Sequence, residues 1–413
     1  AQLRDELTAI FKAGNGADAC RPQVLARLKE LLATAHDGAR ARIAVTANGR
    51  DCAAALSEFH DELIRLIYDY TVAHVYHITT SGSADEKIAI VATGGYGRGL
   101  LAPYSDIDLL FILPYRQTPW CESVAEYMLY LLWDLGLKVG HATRTVAQCV
   151  SLAKSDMTIR TSLLDARYLL GDEKLYAEFE KRFAEDVVAG SEREFIEAKM
   201  AERESRHKQT GESRYRVEPN VKDGKGGLRD LHTLHWLSKY AYGAGPADPD
   251  MPPNVFEPEE IKTFSRSSEF LWTVRCLMHF ERGRADERLG FETQPAIAEQ
   301  LNYREDDSLL PVERFMRHYF LVAKDVGELT AILCSSLEMQ QLAAAPRVQQ
   351  YLNPLNWTTR RRVRRMTDFR IDNDRLNVAD PDVFKRDPVN LLRIFVQAAE
   401  TATFLHPTAL RLI

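Results

Sequence analysis

Two spacings of apolar residues alternate along the chain, and the changes between them place the elements. Before residue 86, Leu25, Leu28, Leu31 and Leu32 recur three and four apart, as do Leu56, Phe59, Leu63, Ile67 and Tyr70. That spacing turns one side of a 3.6-residue helix toward a core and predicts helices. Ile88-Ala89-Ile90-Val91-Ala92 is instead a continuous apolar run stopping at glycines, as a buried strand does on meeting a loop. A second run, Ile107 to Leu113, carries Asp108 and ends at Pro114. A helix is predicted from Thr118 to Leu135, a short strand around Val139 and a helix from Val146 to Lys154. Leu163 to Leu170, closed by Gly171-Asp172, predicts a further strand with Asp165 inside it. Helical patterns dominate from Asp172 onward. The expected fold is α+β: a helical region over residues 1–85, a small mixed-sheet domain over 86–190 and a helical domain over 191–413.

Composition narrows the class. At 413 residues the chain is too long for one typical domain. Its formal net charge of −6 argues against a general nucleic-acid binder, which presents an excess of cations to phosphates. It leaves room for a nucleotide substrate, which needs only a few local cations. The six cysteines contain no CxxC pair, which favours reduced thiols over a disulfide framework or a zinc site. No apolar run approaches the roughly 20 residues of a membrane span, and the N-terminus has no signal-peptide core. The expectation is a cytoplasmic protein with no membrane partner. The stretch Gly243 to Pro258 holds five prolines and reads as a linker or surface excursion. The arginine run from Arg360 to Arg365 reads as a solvated basic helix or a contact for an acidic partner.

The chemistry concentrates in Gly94-Gly95-Tyr96-Gly97-Arg98-Gly99 and Ser105-Asp106-Ile107-Asp108. Residues i and i+2 of a strand share a face, so Asp106 and Asp108 project together. Two such carboxylates form a hard-oxygen site suited to Mg²⁺ or Mn²⁺. Gly94 and Gly95 remove side chains where the backbone must approach a phosphate, and Arg98 and Ser105 add a charged fork and a hydroxyl. The alternative is a tight turn and a solvent-facing aspartate pair. Burying two aspartates among Ile, Leu and Phe without a partner is costly, which favours the functional reading.

An apolar strand, Gly-Gly, a spacer and Asp-x-Asp in a second strand resemble the signature of the DNA polymerase β-like nucleotidyltransferase superfamily. The resemblance implies a third carboxylate on a later strand, and Asp165 in Leu164-Asp165-Ala166 matches it. A closer resemblance extends along nearly the whole chain, carried by residues 94–114, 133–145, EPNVKDGKGGLRDLHTLHWL at 218–237, 271–301 and 312–320. These resemble the N-terminal part of the bifunctional PII uridylyltransferase/uridylyl-removing family. The resemblance implies transfer of UMP from UTP to a tyrosine hydroxyl of PII. It also implies metal ligation by Asp106, Asp108 and Asp165, and a place for Lys222 and Arg229 near the nucleotide phosphates. The family continues into a phosphohydrolase domain and paired ACT domains. The chain stops before them, so the expectation is that it writes the modification without erasing it or sensing glutamine.

The remaining features have plainer readings. Gly224-Lys225-Gly226-Gly227 lacks the spacing of a P-loop. It reads as a loop between helices with Asp230 near the new N-terminus, or as part of a phosphate or protein-substrate contact. His36-Asp37 and His60-Asp61 do not form a spaced ligand set, and the second pair reads as a solvated helix face. His141 and His318 read as structural. Arg282, Arg284 and Arg288 in ERGRADERL read as a solvated helix face or intramolecular ion pairs. Two other functions fit the same motifs: a nucleotidyltransferase that adenylylates another hydroxyl, and a non-catalytic nucleotide-binding module.

Overall fold

Helix signals in the first third of the chain are backed by local caps. Asn48 accepts a hydrogen bond from the Asp51 amide at 3.0 Å and starts one helix. Thr118 does the same for the Cys121 amide, with Pro119 in the first turn of another. A computed structural model describes residues 2–14, 16–77, 86–116, 118–211, 213, 215–243, 256–306, 308–344, 368–372, 375–401 and 403–413. Most of the proline-rich stretch and the arginine run 360–365 lie outside the described residues.

The order begins with α1 (Gln2–Ala13), α2 (Ala17–Thr46), α3 (Gly49–His74), β1 (Ala89–Ala92), α4 (Gly94–Gly97), β2 (Ile107–Leu113) and α5 (Pro119–Asp134). It continues with β3 (Val139–Thr145), α6 (Val146–Ser155), α7 (Met157–Leu164), β4 (Arg167–Gly171) and α8 (Glu173–Phe183). Then come α9 (Glu192–Thr210), α10 (Leu228–Tyr242), α11 (Pro258–Arg282), α12 (Gln294–Gln300) and α13 (Pro311–Ala344). The strands form a sheet in the order β3-β2-β1-β4. β1 is antiparallel to β2 and β4, whereas β2 and β3 run parallel with Asp108 opposite Gly140. One face of the sheet, including Ile90, Ile107, Leu109 and Phe111, shares a core with Leu63 and Ile67 of α3 and Met128 and Leu132 of α5.

By packing, the chain divides into two compact units. The first comprises residues 1–195, 215–224 and 268–319, and the second 196–214, 225–267 and 320–413. The expected boundary at 85 is not a packing boundary, because α3 and the sheet have one core. The expected boundary at 190 lies near the first crossing, but residues 215–224 and 268–319 return to the first unit.

Two further expectations need correction. The run 163–170 is not one strand: α7 continues to Leu164, Asp165 is its C-cap, and β4 begins at Arg167. Asp156 accepts hydrogen bonds from the Thr158 and Ile159 amides and starts α7, so an apolar run compatible with either period is partly helical. Nor is the stretch after 190 wholly helical. Strands β5 (Phe369–Asp372), β6 (Arg375–Val378) and β7 (Phe404–Leu405) form a small sheet around Leu376 and Ile394. Segments of two to four residues are too short to show a period.

Candidate active site

The glycine turn is built between β1 and β2. The Thr93 amide donates to the Asp108 carbonyl at 3.0 Å, linking the end of β1 to the start of β2. Gly94 then adopts a left-handed φ of 55°, where a Cβ would lie 3.0 Å from Asp108 Oδ2. Tyr96 points into the core, and its hydroxyl donates to Asp61 Oδ1 at 2.5 Å. Burial and Asp61 push the Tyr96 pKa far up, keeping the phenol protonated. Arg167 donates to the same carboxylate at 2.6 and 3.0 Å. The turn is thereby tied to α3 and β4.

Asp61 is therefore engaged by two protein donors and only partly exposed, and its neighbour His60 is 3% exposed. The expected solvated face at His60-Asp61 is corrected at His60, which is buried, while Asp61 is partly exposed and held by Tyr96 and Arg167. His60 Nδ1 bonds the Leu56 carbonyl at 2.7 Å, and burial lowers its pKa to about 4.

Asp106 and Asp108 come together at the start of β2. Asp106 precedes the strand and is exposed, while Asp108 is its second residue and is half-buried. Burial, and then the neighbouring Asp106, raise the Asp108 pKa, with Lys222 acting in the opposite sense. Across the parallel pairing, a Cβ on Gly140 would lie 2.5 Å from Asp108 Oδ1. Gly94 and Gly140 thus leave the room that the Asp108 carboxylate occupies. Gly140 was not singled out in the sequence, although a glycine inside a strand signals close approach of another group.

Asp165 is placed differently from expectation. Its side chain is fully buried and accepts from Arg98 Nη1 at 2.7 Å. Arg98 itself is 10% exposed and also reaches the Gly94 carbonyl at 3.5 Å. A Cβ on Gly97 would overlap the Asp165 carbonyl, so the two segments are in direct contact. Among the described residues no group of three or more His, Cys, Asp or Glu is arranged to hold a metal ion. Asp165 is engaged with Arg98, and Asp106 and Asp108 are the two carboxylates brought together at the start of β2. That pair still fits a divalent cation. Mg²⁺ is commonly held by one or two protein carboxylates together with substrate phosphates, and a cation would offset the burial and the Asp106 repulsion that raise the Asp108 pKa.

The cation that acts on Asp108, Lys222, comes from residues 218–224. The Asn220 side chain accepts from the Lys222 and Asp223 amides at 3.0 and 2.6 Å, fixing a tight loop. The Val221 amide donates to the Glu287 carbonyl at 2.8 Å, and Leu289 N–H donates to the Pro219 carbonyl at 2.9 Å. Lys222 Nζ lies 3.9 Å from Glu287 Oε1. Arg275 grips both Glu287 oxygens at 2.7 to 3.1 Å, and His279 Nε2 is 3.6 Å away. Burial alone would raise the Glu287 pKa, but His279 and Arg275 hold it well below the carboxylate range. Arg275 also donates to Ser105 Oγ at 3.3 Å, so the hydroxyl expected at a phosphate has a protein donor. Glu287 was missed because ERGRADERL reads as a charged surface. The ion-pair reading of that stretch holds: α11 ends at Arg282, Arg282 and Arg284 face Asp286, and Arg288 pairs with Glu218 at 2.5 Å.

Arg229 belongs to the second unit, where its guanidinium lies 5.7 Å from the Trp236 ring centre. In the same unit Asp230 is fully buried three residues into α10. It accepts from Arg206 at 2.6 Å, His207 at 2.9 Å and the Gly226 amide at 2.8 Å. Burial pushes its pKa up, but His207, Arg203 and the Gly226 amide outweigh that and bring it to about 2. The helix-start reading of the glycine loop holds, with Asp230 as its anchor.

Comparison with known proteins gives this geometry a family. Residues 80–168 match the nucleotidyltransferase domain family, and residues 194–334 match the GlnD PII-uridylyltransferase family. A bifunctional uridylyltransferase/uridylyl-removing enzyme of Rhodopseudomonas palustris is 52% identical over 413 residues, covering 100% of this chain and 44% of that protein. Those of Nitrobacter winogradskyi and Bradyrhizobium sp. ORS 278 are 52% and 53% identical over 96% and 98% of this chain. The chain spans 43% and 44% of their lengths. With a nucleotidyltransferase domain around the glycine turn and this level of identity along its length, the chain belongs to the family of bifunctional uridylyltransferase/uridylyl-removing enzymes, spanning less than half the length of these relatives.

Proposed function

We propose that this chain transfers UMP from UTP to a tyrosine hydroxyl of the signalling protein PII, releasing pyrophosphate. The observation that carries the reading is the Asp106–Asp108 acidic pair, with Lys222 acting on Asp108 and Gly94 and Gly140 leaving room for its carboxylate. Two carboxylates with an adjacent cation suit a metal–triphosphate better than either partner alone. In the reaction the tyrosine oxygen bonds to the α-phosphorus as the bond to the β-phosphate oxygen breaks. The phenol proton, with a pKa near 10 in water, must leave as that bond forms.

Asp106 and Asp108 would hold Mg²⁺ or Mn²⁺. When bound, such an ion neutralises phosphate charge and makes the acceptor hydroxyl more acidic. Lys222 would add a positive charge at the phosphates, and the absence of side chains at Gly94 and Gly95 would let backbone approach them. Arg98 and Asp165, being buried against each other, would brace the glycine turn. Ser105 would act through its bond to Arg275. Arg229 would serve the second unit beside Trp236. Since phosphoryl-type transfer depends on position and charge more than on covalent help, these residues are sufficient in kind.

Among the described residues no helix is long and apolar enough to cross a membrane. The proposed partners are UTP and PII, with no role for nucleic acid. Incubating the chain with PII, Mg²⁺ and each of the four nucleoside triphosphates, then weighing intact PII, tests this. The expected result is a gain of one uridylyl group per modified site with UTP alone. Gain with ATP would favour the adenylylating alternative, and no gain with any nucleotide would overturn the reading.

A further inference from the structure

The turn just before Asp106 has a backbone feature that its sequence alone does not favour. Tyr104 adopts a left-handed φ of 61°, and the Ser105 amide closes the turn on the Ala102 carbonyl at 3.1 Å. For a residue other than glycine that conformation is disfavoured, and such strain persists only where the surroundings impose it. Both neighbours of Tyr104 are held from one helix. Arg275 donates to Ser105 Oγ, and His279 Nδ1 is bonded to the Pro103 carbonyl. Residues 275 and 279 are four apart in α11 and share a face. Their side chains are 7% and 0% exposed.

Glu287 joins this grip to the other side of the site. Its carboxylate takes Arg275 in a two-pronged bond and faces His279 and Lys222, while its carbonyl accepts from Val221. One residue therefore secures the turn that presents Asp106 and the loop that presents Lys222 to Asp108. The same carboxylate offsets Arg275, whose burial would otherwise be costly.

We propose that Glu287 is a positioning residue for the transfer reaction, acting through Arg275 and His279 to lock the Pro103–Ser105 turn and through Lys222 to set the charge beside Asp108. This rests on the nucleotidyl-transfer reading, and it assigns Glu287 no contact with substrate. A strained turn clamped immediately before an acidic pair fixes the aim of both carboxylates, and displacement of reacting groups by about 1 Å can cost on the order of 100-fold in rate.

The test uses Glu287→Gln, Arg275→Lys and Ser105→Ala in the full 413-residue chain. Each is examined by steady-state transfer of UMP to PII and by amide hydrogen exchange. We expect kcat to fall by about 100-fold, about 10-fold and a few-fold respectively, with smaller changes in KM for UTP, as loss of transition-state aim requires. Exchange at Tyr104, Ser105 and Asp106 should quicken in the same order, while Ile90 and Phe111 in the sheet exchange as before. Arg275→Lys keeps the charge and guards against a Glu287→Gln chain that folds poorly. The proposal is overturned if the turn exchanges at the unaltered rate in both Glu287→Gln and Arg275→Lys. It is equally overturned if lost activity only tracks faster exchange throughout the sheet. If the unaltered chain moves no UMP, the reading of function fails, and turn exchange alone decides whether Glu287 holds the turn.

Discussion

Asp108 and Asp230 each sit beside a glycine-containing loop, one in each unit, and their surroundings are opposite. Asp108 is half-buried next to a second carboxylate, with Lys222 as the opposing charge, and its pKa is raised. Asp230 is wholly buried among Arg203, Arg206, His207 and a backbone amide, and its pKa falls to about 2. The first carboxylate is short of positive charge and the second is amply supplied. A group kept short of compensation suits the arrival of a cation, whereas a fully compensated one is a structural anchor. Burial or a neighbouring glycine, taken alone, would not separate the two.

The comparison is broken most directly by removing the acidic charge on each side. Asp106→Asn with Asp108→Asn should lower UMP transfer by about 1,000-fold or more, the scale lost with a key electrostatic group, without lowering the melting temperature. Transfer of labelled UMP with a thermal melt checks both halves, and retained transfer would remove the site from consideration. Asp230→Asn should do the reverse. Leaving buried cations without their carboxylate should destabilise the second unit by about 4 kcal/mol, seen as earlier unfolding in urea, and wild-type stability would sink the anchor assignment.

Acid separates the units in a second way. His60 in the first unit has a folded pKa of about 4, below its unfolded value, so the folded chain resists its protonation. Stability it contributes is present above about pH 6.5 and is lost as pH falls toward 4, at most about 3 kcal/mol. Asp230 contributes stability above pH 4 that is lost as pH falls toward 2. Exchange measured against pH should therefore show the first unit loosening before the second, and the opposite order would contradict these assignments. The smallest effect sharpens the account of Asp108 itself. Gly140→Ala would press on Oδ1, lowering kcat by about tenfold, within the range for small misplacements, and unchanged turnover would show that the carboxylate has room to move.

Much of the site was legible because its chemistry is local. Gly94, Gly95, Asp106 and Asp108 lie within a stretch of fifteen residues, and period-two geometry alone brings the two aspartates together. Asp165 was recognised as a buried acid, but its partner Arg98 is 67 residues away and could not be read from spacing. Glu287, Arg275 and His279 were hidden for the same reason: their meaning depends on Ser105, Pro103 and Lys222, which tertiary packing supplies. The helices and the main sheet followed from periodicity. The segment at 163–170 misled because an apolar run beside a helix cap fits both periods.

The bond from Tyr96 to Asp61 bears on how this protein could be cut. Asp61 lies in α3, well before the first strand, yet it receives both the Tyr96 hydroxyl and the Arg167 guanidinium. A fragment begun at residue 86, where the strand pattern starts, would strand a buried phenol and an arginine without their acceptor and strip α3 from the core it shares with the sheet. The smallest excisable module that keeps the glycine turn in shape therefore includes α3, and shortening from the N-terminus is a catalytic as well as a stability question.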